Sequence, residues 1–82
     1  MPKYIDFHPT LKLPPEVVRQ TAAAIKAGQP DQLGVKPLQM FYNKDGAVFC
    51  YVEAPNEEAV HKYHAAAGVS VEGRIVEVET AT

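Results

Sequence analysis

AVFCYVEAPNEEAVHKYHAAAG, residues 47–68 of an 82-residue chain, joins a strand pattern to a capped helix pattern across one sharp break. Residues 47–53 are rich in β-branched and aromatic types. Phe49, Tyr51 and Glu53 alternate there with Val48, Cys50 and Val52, as in a strand that is apolar on both faces and lies near the middle of a sheet. Pro55 cannot extend the ladder, Asn56 is a good N-cap, and Glu57 and Glu58 fall where a helix N-terminus favours negative charge. Gly68 stops the helix after Ala65, Ala66 and Ala67.

Upstream, residues 35–42 read as a strand with Leu38 and Met40 pointing one way and Gln39 and Phe41 the other, and Pro37 assigns it to an edge. NKDG at 43–46 is a tight connection that makes a hairpin with the strand at 47–53. Residues 3–8 alternate Tyr4, Asp6 and His8 with Ile5 and Phe7, the period of a strand whose Ile5/Phe7 side is expected to be buried. Pro14 and Pro15 pre-set the first turn of a helix that ends at Gly28, with Glu16 at its positive end and Val18, Ala22 and Ile25 on one face. Residues 29–34 form a loop. Residues 69–71 are expected to form a short extended piece, and 74–79 the last strand.

The order β-α-β-β-α-β predicts an α+β, ferredoxin-like fold in a single domain, 1–82, with an antiparallel sheet of order 4-1-3-2 and both helices on one face. The other face is expected to carry Tyr4, Asp6, His8, Gln39, Phe41, Phe49, Tyr51 and Glu53. Several of these are aromatic and nothing in the chain covers them, so a homodimer packed through the open sheet face is the simplest closed solution.

Composition narrows the function classes. A net charge of −2 without a basic cluster argues against nucleic acid and anionic membrane as the main partners. The chain has no run of apolar residues long enough to cross a bilayer and no apolar signal core at its start, which together with a single cysteine leads to the expectation of a cytoplasmic, reducing location. No serine sits in a nucleophile elbow, and neither a glycine-rich phosphate loop nor a CxxC pair occurs, so hydrolase and nucleotide-using chemistry have little support.

Histidine and carboxylate carry the remaining chemistry. Asp6 and His8 lie two apart on one strand and project from one face, where they can meet a common ion or each other. His61 and His64 are three apart on a helix, close enough to chelate one cation or to sit side by side as solvated groups. The expected topology puts His8 and His64 near one rim but on opposite faces of the sheet. Separate, incomplete surface sites follow, completed by water, by Asp6 and Glu53, or by a second subunit. Glu53 is also within expected reach of Tyr4 for a structural hydrogen bond. Cys50 reads as a small buried hydrophobe.

The segment at 49–69, FCYVEAPNEEAVHKYHAAAGV, with the opening MPKYIDFH and the closing IVEVET, resembles a family of small bacterial proteins of ferredoxin-like fold, long without an assigned function, that includes nickel-binding members from actinomycetes. The likeness spans most of the chain; its more specific parts are Asp6-x-His8, Phe49-Cys50-x-x-Glu53-Ala54-Pro55, and the helix 2 histidines before Ala67-Gly68. The resemblance implies a homodimer with surface nickel sites of histidine and carboxylate. In the family pattern the first helix also has a histidine and an aspartate, and a histidine precedes the glycine that ends helix 2. Here helix 1 has no histidine and Ala67 precedes Gly68, so weaker, exposed sites are expected.

The leading expectation is a non-catalytic nickel-binding protein in nickel response or sequestration, with Asp6 and His8 in one site, His61 and His64 in another, and Glu53 available to either. Such ligands also suit Zn²⁺ and Cu²⁺; only the resemblance selects Ni²⁺. The alternative is a small dimeric α/β-barrel enzyme of monooxygenase or isomerase type, acting on a small aromatic molecule. The enzyme requires an apolar pocket between helices and sheet with a polar group facing into it. The metal reading requires histidines exposed at the rim and no such pocket.

Overall fold

Local signals in the sequence set most element boundaries. The computed structural model describes residues 1–69 and 75–81. Its elements are β1 (Lys3–His8), α1 (Pro15–Ala27), β2 (Lys36–Tyr42), β3 (Val48–Glu53), α2 (Glu57–Ala66) and β4 (Ile75–Val78). The sheet runs β2-β3-β1-β4 with every neighbouring pair antiparallel, which is the expected order read from the other edge. The architecture is ferredoxin-like α+β. Pro37 lies on the edge strand, and Leu38 sits where the β2–β3 register shifts. Of the expected extended piece at 69–71, residues 70 and 71 lie outside the described residues, as does Arg74 at the start of the last strand.

Asn56 caps α2, its Oδ1 accepting the Ala59 N–H at 2.8 Å. At the end of α1, Gly28 takes a left-handed conformation, φ 65°, and its N–H reaches the Ala24 and Ile25 carbonyls. In the hairpin, Asn43 Oδ1 accepts from the N–H groups of Asp45 and Ala47. The half-buried stripe of α1 is Val17, Val18, Thr21 and Ile25; Ala22, expected on it, is exposed. At 100° per residue the stripe centres between Val17 and Val18, about a quarter turn from Ala22.

The facing of β1 is the reverse of the sequence expectation. Tyr4, Asp6 and His8 are buried beneath the helices, while Ile5 and Phe7 lie on the open face. Cross-strand register explains the reversal. Tyr4 pairs with Val52 and His8 with Val48, and both valines belong to the interior. Ile5 and Phe7 pair with Tyr51 and Phe49, and the Phe7 and Phe49 rings stack with centroids 4.6 Å apart. Two buried valines on the neighbouring strand outweigh the preference of a short strand for putting its aliphatic side inward.

The core gathers Tyr4, Val35, Val52, Ala54, Ala59, Val60 and Ile75, with Leu33 and Tyr63 packed against it. On the open face, Ile5, Phe41, Phe49 and Tyr51 line an apolar hollow of about 510 Å³ together with Val78. Glu53 also belongs to that face, opposite Lys3 on one side and Lys36 on the other. Lys3 Nζ lies 4.0 Å from Glu53 Oε2, so the expected partner Tyr4 is replaced by its neighbour. Among the described residues no helix is long and apolar enough to cross a membrane.

Candidate metal centre

Asp6 on β1 and Cys50 on β3 are directly opposed in the register, and His8 follows two residues along on the same side. Across that side runs α2, whose Val60 and His64 are one turn apart on its buried stripe. The helix therefore lowers His64 onto the carboxylate. His8 Nε2 is 2.6 Å and His64 Nε2 3.2 Å from the same oxygen, Asp6 Oδ1. The two imidazoles are 5.0 Å apart, centroid to centroid, and Tyr63 meets His64 edge-on.

Exposure is 0% for Asp6, 2% for His8 and 5% for His64. One donor atom each from Asp6, His8, Cys50 and His64 can be chosen so that all lie within 4.8 Å of one another.

Hydrogen bonding separates the two histidines. His64 Nδ1 is 2.8 Å from the Val60 carbonyl oxygen, which can only accept, so Nδ1–H donates and Nε2 faces the cluster. Metal-binding histidines commonly carry such a bond on the ring nitrogen away from the ion. His8 has no such anchor: among the described residues, neither of its ring nitrogens and neither oxygen of Asp6 has a hydrogen-bond partner in proper geometry. A buried carboxylate without a donor is costly, and the close approaches to it bring nitrogen and oxygen together without an aligned N–H.

Electrostatics follow from the same burial. Burial pulls the His64 imidazole down, but its contact with Asp6, its bond to Val60 and the Asp6 charge outweigh that, leaving its pKa raised above the ordinary histidine value. Burial, reinforced by the neighbouring Asp6 carboxylate, pushes the Cys50 thiol up to about 12. A thiol protonated at neutral pH is a poor free nucleophile.

Of the sequence candidates, Asp6, His8 and His64 come together, on one side of the sheet and buried. The expectation that His8 and His64 lie on opposite faces, exposed at a rim, is thereby corrected, because β1 turns its polar side toward α2. His61 stays outside, 130° or so around the helix from the middle of the buried stripe. It is exposed, with Nε2 3.6 Å from Glu57 Oε2 one turn back. Glu53 lies on the far face of the sheet. Cys50 was not among the sequence candidates. Its signal is the strand order itself: an antiparallel β1–β3 pair sets the Val48, Cys50 and Val52 side of β3 against one side of β1.

Four donors fit a transition-metal ion. Bonds of about 2.0–2.3 Å set the donors of a tetrahedral ion roughly 3.3–3.7 Å apart, so these four, which lie within 4.8 Å of one another, close on an ion through side-chain shifts of about 1 Å. The apolar hollow, by contrast, lies on the open face and not in the cleft between helices and sheet, where the enzyme alternative requires one.

Among solved structures, the chain is similar to that described as "Crystal structure analysis of SCO4226 from Streptomyces coelicolor A3(2)", with a TM-score of 0.74 and 24% identity, over 98% of this chain and 99% of that one. That likeness supports the fold. A comparison with curated proteins finds no match. The family model for "Nickel responsive protein SCO4226-like" matches residues 4–78, a span that holds the whole Asp6, His8, Cys50 and His64 cluster; the chain belongs to this family, and with it to a nickel-related role.

Proposed function

We propose that the protein is a non-catalytic binder of a divalent transition metal, nickel by family, serving nickel response or sequestration, with Asp6, His8 and His64 as ligands of a buried site. The observation that carries this reading is the pair of buried groups, Asp6 and His8, whose polar atoms face each other without a hydrogen bond in proper geometry. An ion satisfies such lone pairs at once. When bound it would accept electron pairs from one carboxylate oxygen and the two imidazoles. The chain's own contribution is to fix the His64 tautomer through Val60 and to keep water away. Zn²⁺ and Cu²⁺ suit the same donors and compete.

His61 with Glu57 is a separate, exposed pair that offers only weak binding. The exposed Ile5, Phe41, Phe49 and Val76 support a homodimer closed through the open sheet face, each subunit one domain spanning 1–82. A free cysteine fits the reducing cytoplasm.

Calorimetric titration of the metal-free protein with Ni²⁺ tests the site, run beside His8→Ala, His64→Ala and His61→Ala. Binding heat lost in the first two and kept in the third is expected. No heat from the unmodified protein, under conditions where a Kd of roughly 10 μM is measurable, overturns the proposal.

A further inference from the structure

We propose that Cys50 is the fourth ligand of the buried site, binding the ion as a thiolate and making the cluster electrically neutral. This rests on the metal reading of Asp6, His8 and His64.

Geometry is the first support. Cys50 is paired with Asp6 across the β1–β3 ladder, and its sulfur is among the four donors within 4.8 Å of one another. A lone cysteine would mean little by itself. Here it borders a buried carboxylate and a buried imidazole whose polar atoms have no hydrogen-bond partner among the described residues, and the donor atoms of all three converge.

Charge is the second support. A divalent ion held by Asp6 and two neutral imidazoles leaves one net positive charge in a place where Asp6, His8 and His64 are at most 5% exposed. An uncompensated buried charge is strongly disfavoured. Glu53 cannot supply the balance, since it sits on the other face of the sheet beside Lys3. The Cys50 thiolate brings the total of ion, carboxylate and thiolate to zero. In the binding step the S–H bond breaks, its proton leaves to solvent, and the sulfur electron pair forms the bond to the metal; neither sulfur nor metal changes oxidation state.

The ligand class narrows accordingly. A donor set of one thiolate, two imidazoles and one carboxylate favours Ni²⁺, Co²⁺, Zn²⁺ and copper over Mg²⁺, Ca²⁺ and Mn²⁺.

The test is ultraviolet and visible absorption during titration of the reduced, full-length protein with Ni²⁺ and, separately, Co²⁺, with affinity measured in parallel on Cys50→Ser. A thiolate-to-metal charge-transfer band saturating at one ion per chain is expected. It should vanish in Cys50→Ser, with affinity lower by roughly tenfold or more. Because Cys50→Ser could fold poorly, X-ray absorption at the nickel edge is recorded on the loaded, unmodified protein too, and a sulfur neighbour of the ion is expected. Calorimetric binding of Ni²⁺ without the band, and with no sulfur neighbour, overturns the role of Cys50 while the three-residue metal site stands. Absence of binding by calorimetry in the unmodified protein overturns both.

Discussion

Asp6, on the helix side of the sheet, is wholly buried, whereas Phe41 and Phe49, on the other side, are 60% and 44% exposed. In a water-soluble sheet with one covered face the opposite distribution is usual, with polar groups outward and aromatics inward. Each side therefore calls for something the isolated chain does not contain. On the helix side, polar atoms that lack hydrogen bonds among the described residues are what the proposed ion would satisfy; on the open side, aromatic surface is what the proposed second copy would cover. Two adjoining strands, β1 and β3, serve both.

The largest effect comes from breaking the polar side. Asp6→Asn removes the charge and keeps the shape. With Ni²⁺ at about 100 times its Kd, the unmodified protein should gain about 2.7 kcal/mol, which in a chain of this size raises Tm by roughly 10–20 °C. Differential scanning calorimetry should show that rise and find it gone in Asp6→Asn; an equal rise in both would remove Asp6 from the site. On the apolar side, Phe49→Asp places a charge in the centre of the proposed interface. It should weaken the dimer by about 2 kcal/mol, seen by sedimentation equilibrium as dissociation at concentrations where the unmodified protein stays paired.

A smaller effect separates the two sides by pH. The pKa of His64 is raised in the folded protein. Its protonated form therefore stabilises the metal-free fold, fully so below the unfolded value of about 6.5, and this contribution is lost as pH rises through the higher folded value. Thermal melts in chelator should show the unmodified protein losing stability relative to His64→Gln as pH climbs through that window. Nickel affinity should move the other way, because the imidazole binds only when neutral. The smallest effect belongs to His61→Ala, expected to change stability by no more than about 0.5 kcal/mol and to leave buried-site affinity unchanged.

Most of the fold is legible because its punctuation is chemical. Asn56, Gly28, Pro37 and the Asn43–Gly46 turn each act on backbone within a few residues of themselves, and they locate elements without reference to anything distant. The facing of β1 is not of that kind. Tyr4, Asp6 and His8 alternate with Ile5 and Phe7, so either side could turn inward on local grounds. What decides it is pairing with Val48 and Val52 on a strand some forty residues away in sequence. The site inherits that uncertainty. His64 is traceable to the buried stripe through Val60, but its meeting with Asp6 depends on the same inversion. The exclusion of His61 is a matter of helical angle, visible once Val60 and His64 are known to be the buried pair.

The alternation of β1 and β3 has a further consequence for how such a protein can change. In both strands the even-numbered positions, 4, 6, 8, 48, 50 and 52, face the helices, and the odd-numbered ones, 3, 5, 7, 49, 51 and 53, face outward. Substitution can therefore alter the proposed ion site while leaving the proposed self-association face in place, or the reverse, because the two sets alternate along each strand. A single-residue insertion or deletion within either strand has no such freedom. It transposes even and odd beyond the point of change, exposing the donors and burying the aromatics, so both faces are disturbed together. Length variation that preserves function is thus confined to the connections, such as 29–34 and 43–46, and the inherited parity of two short strands becomes the constraint on how this sequence diverges.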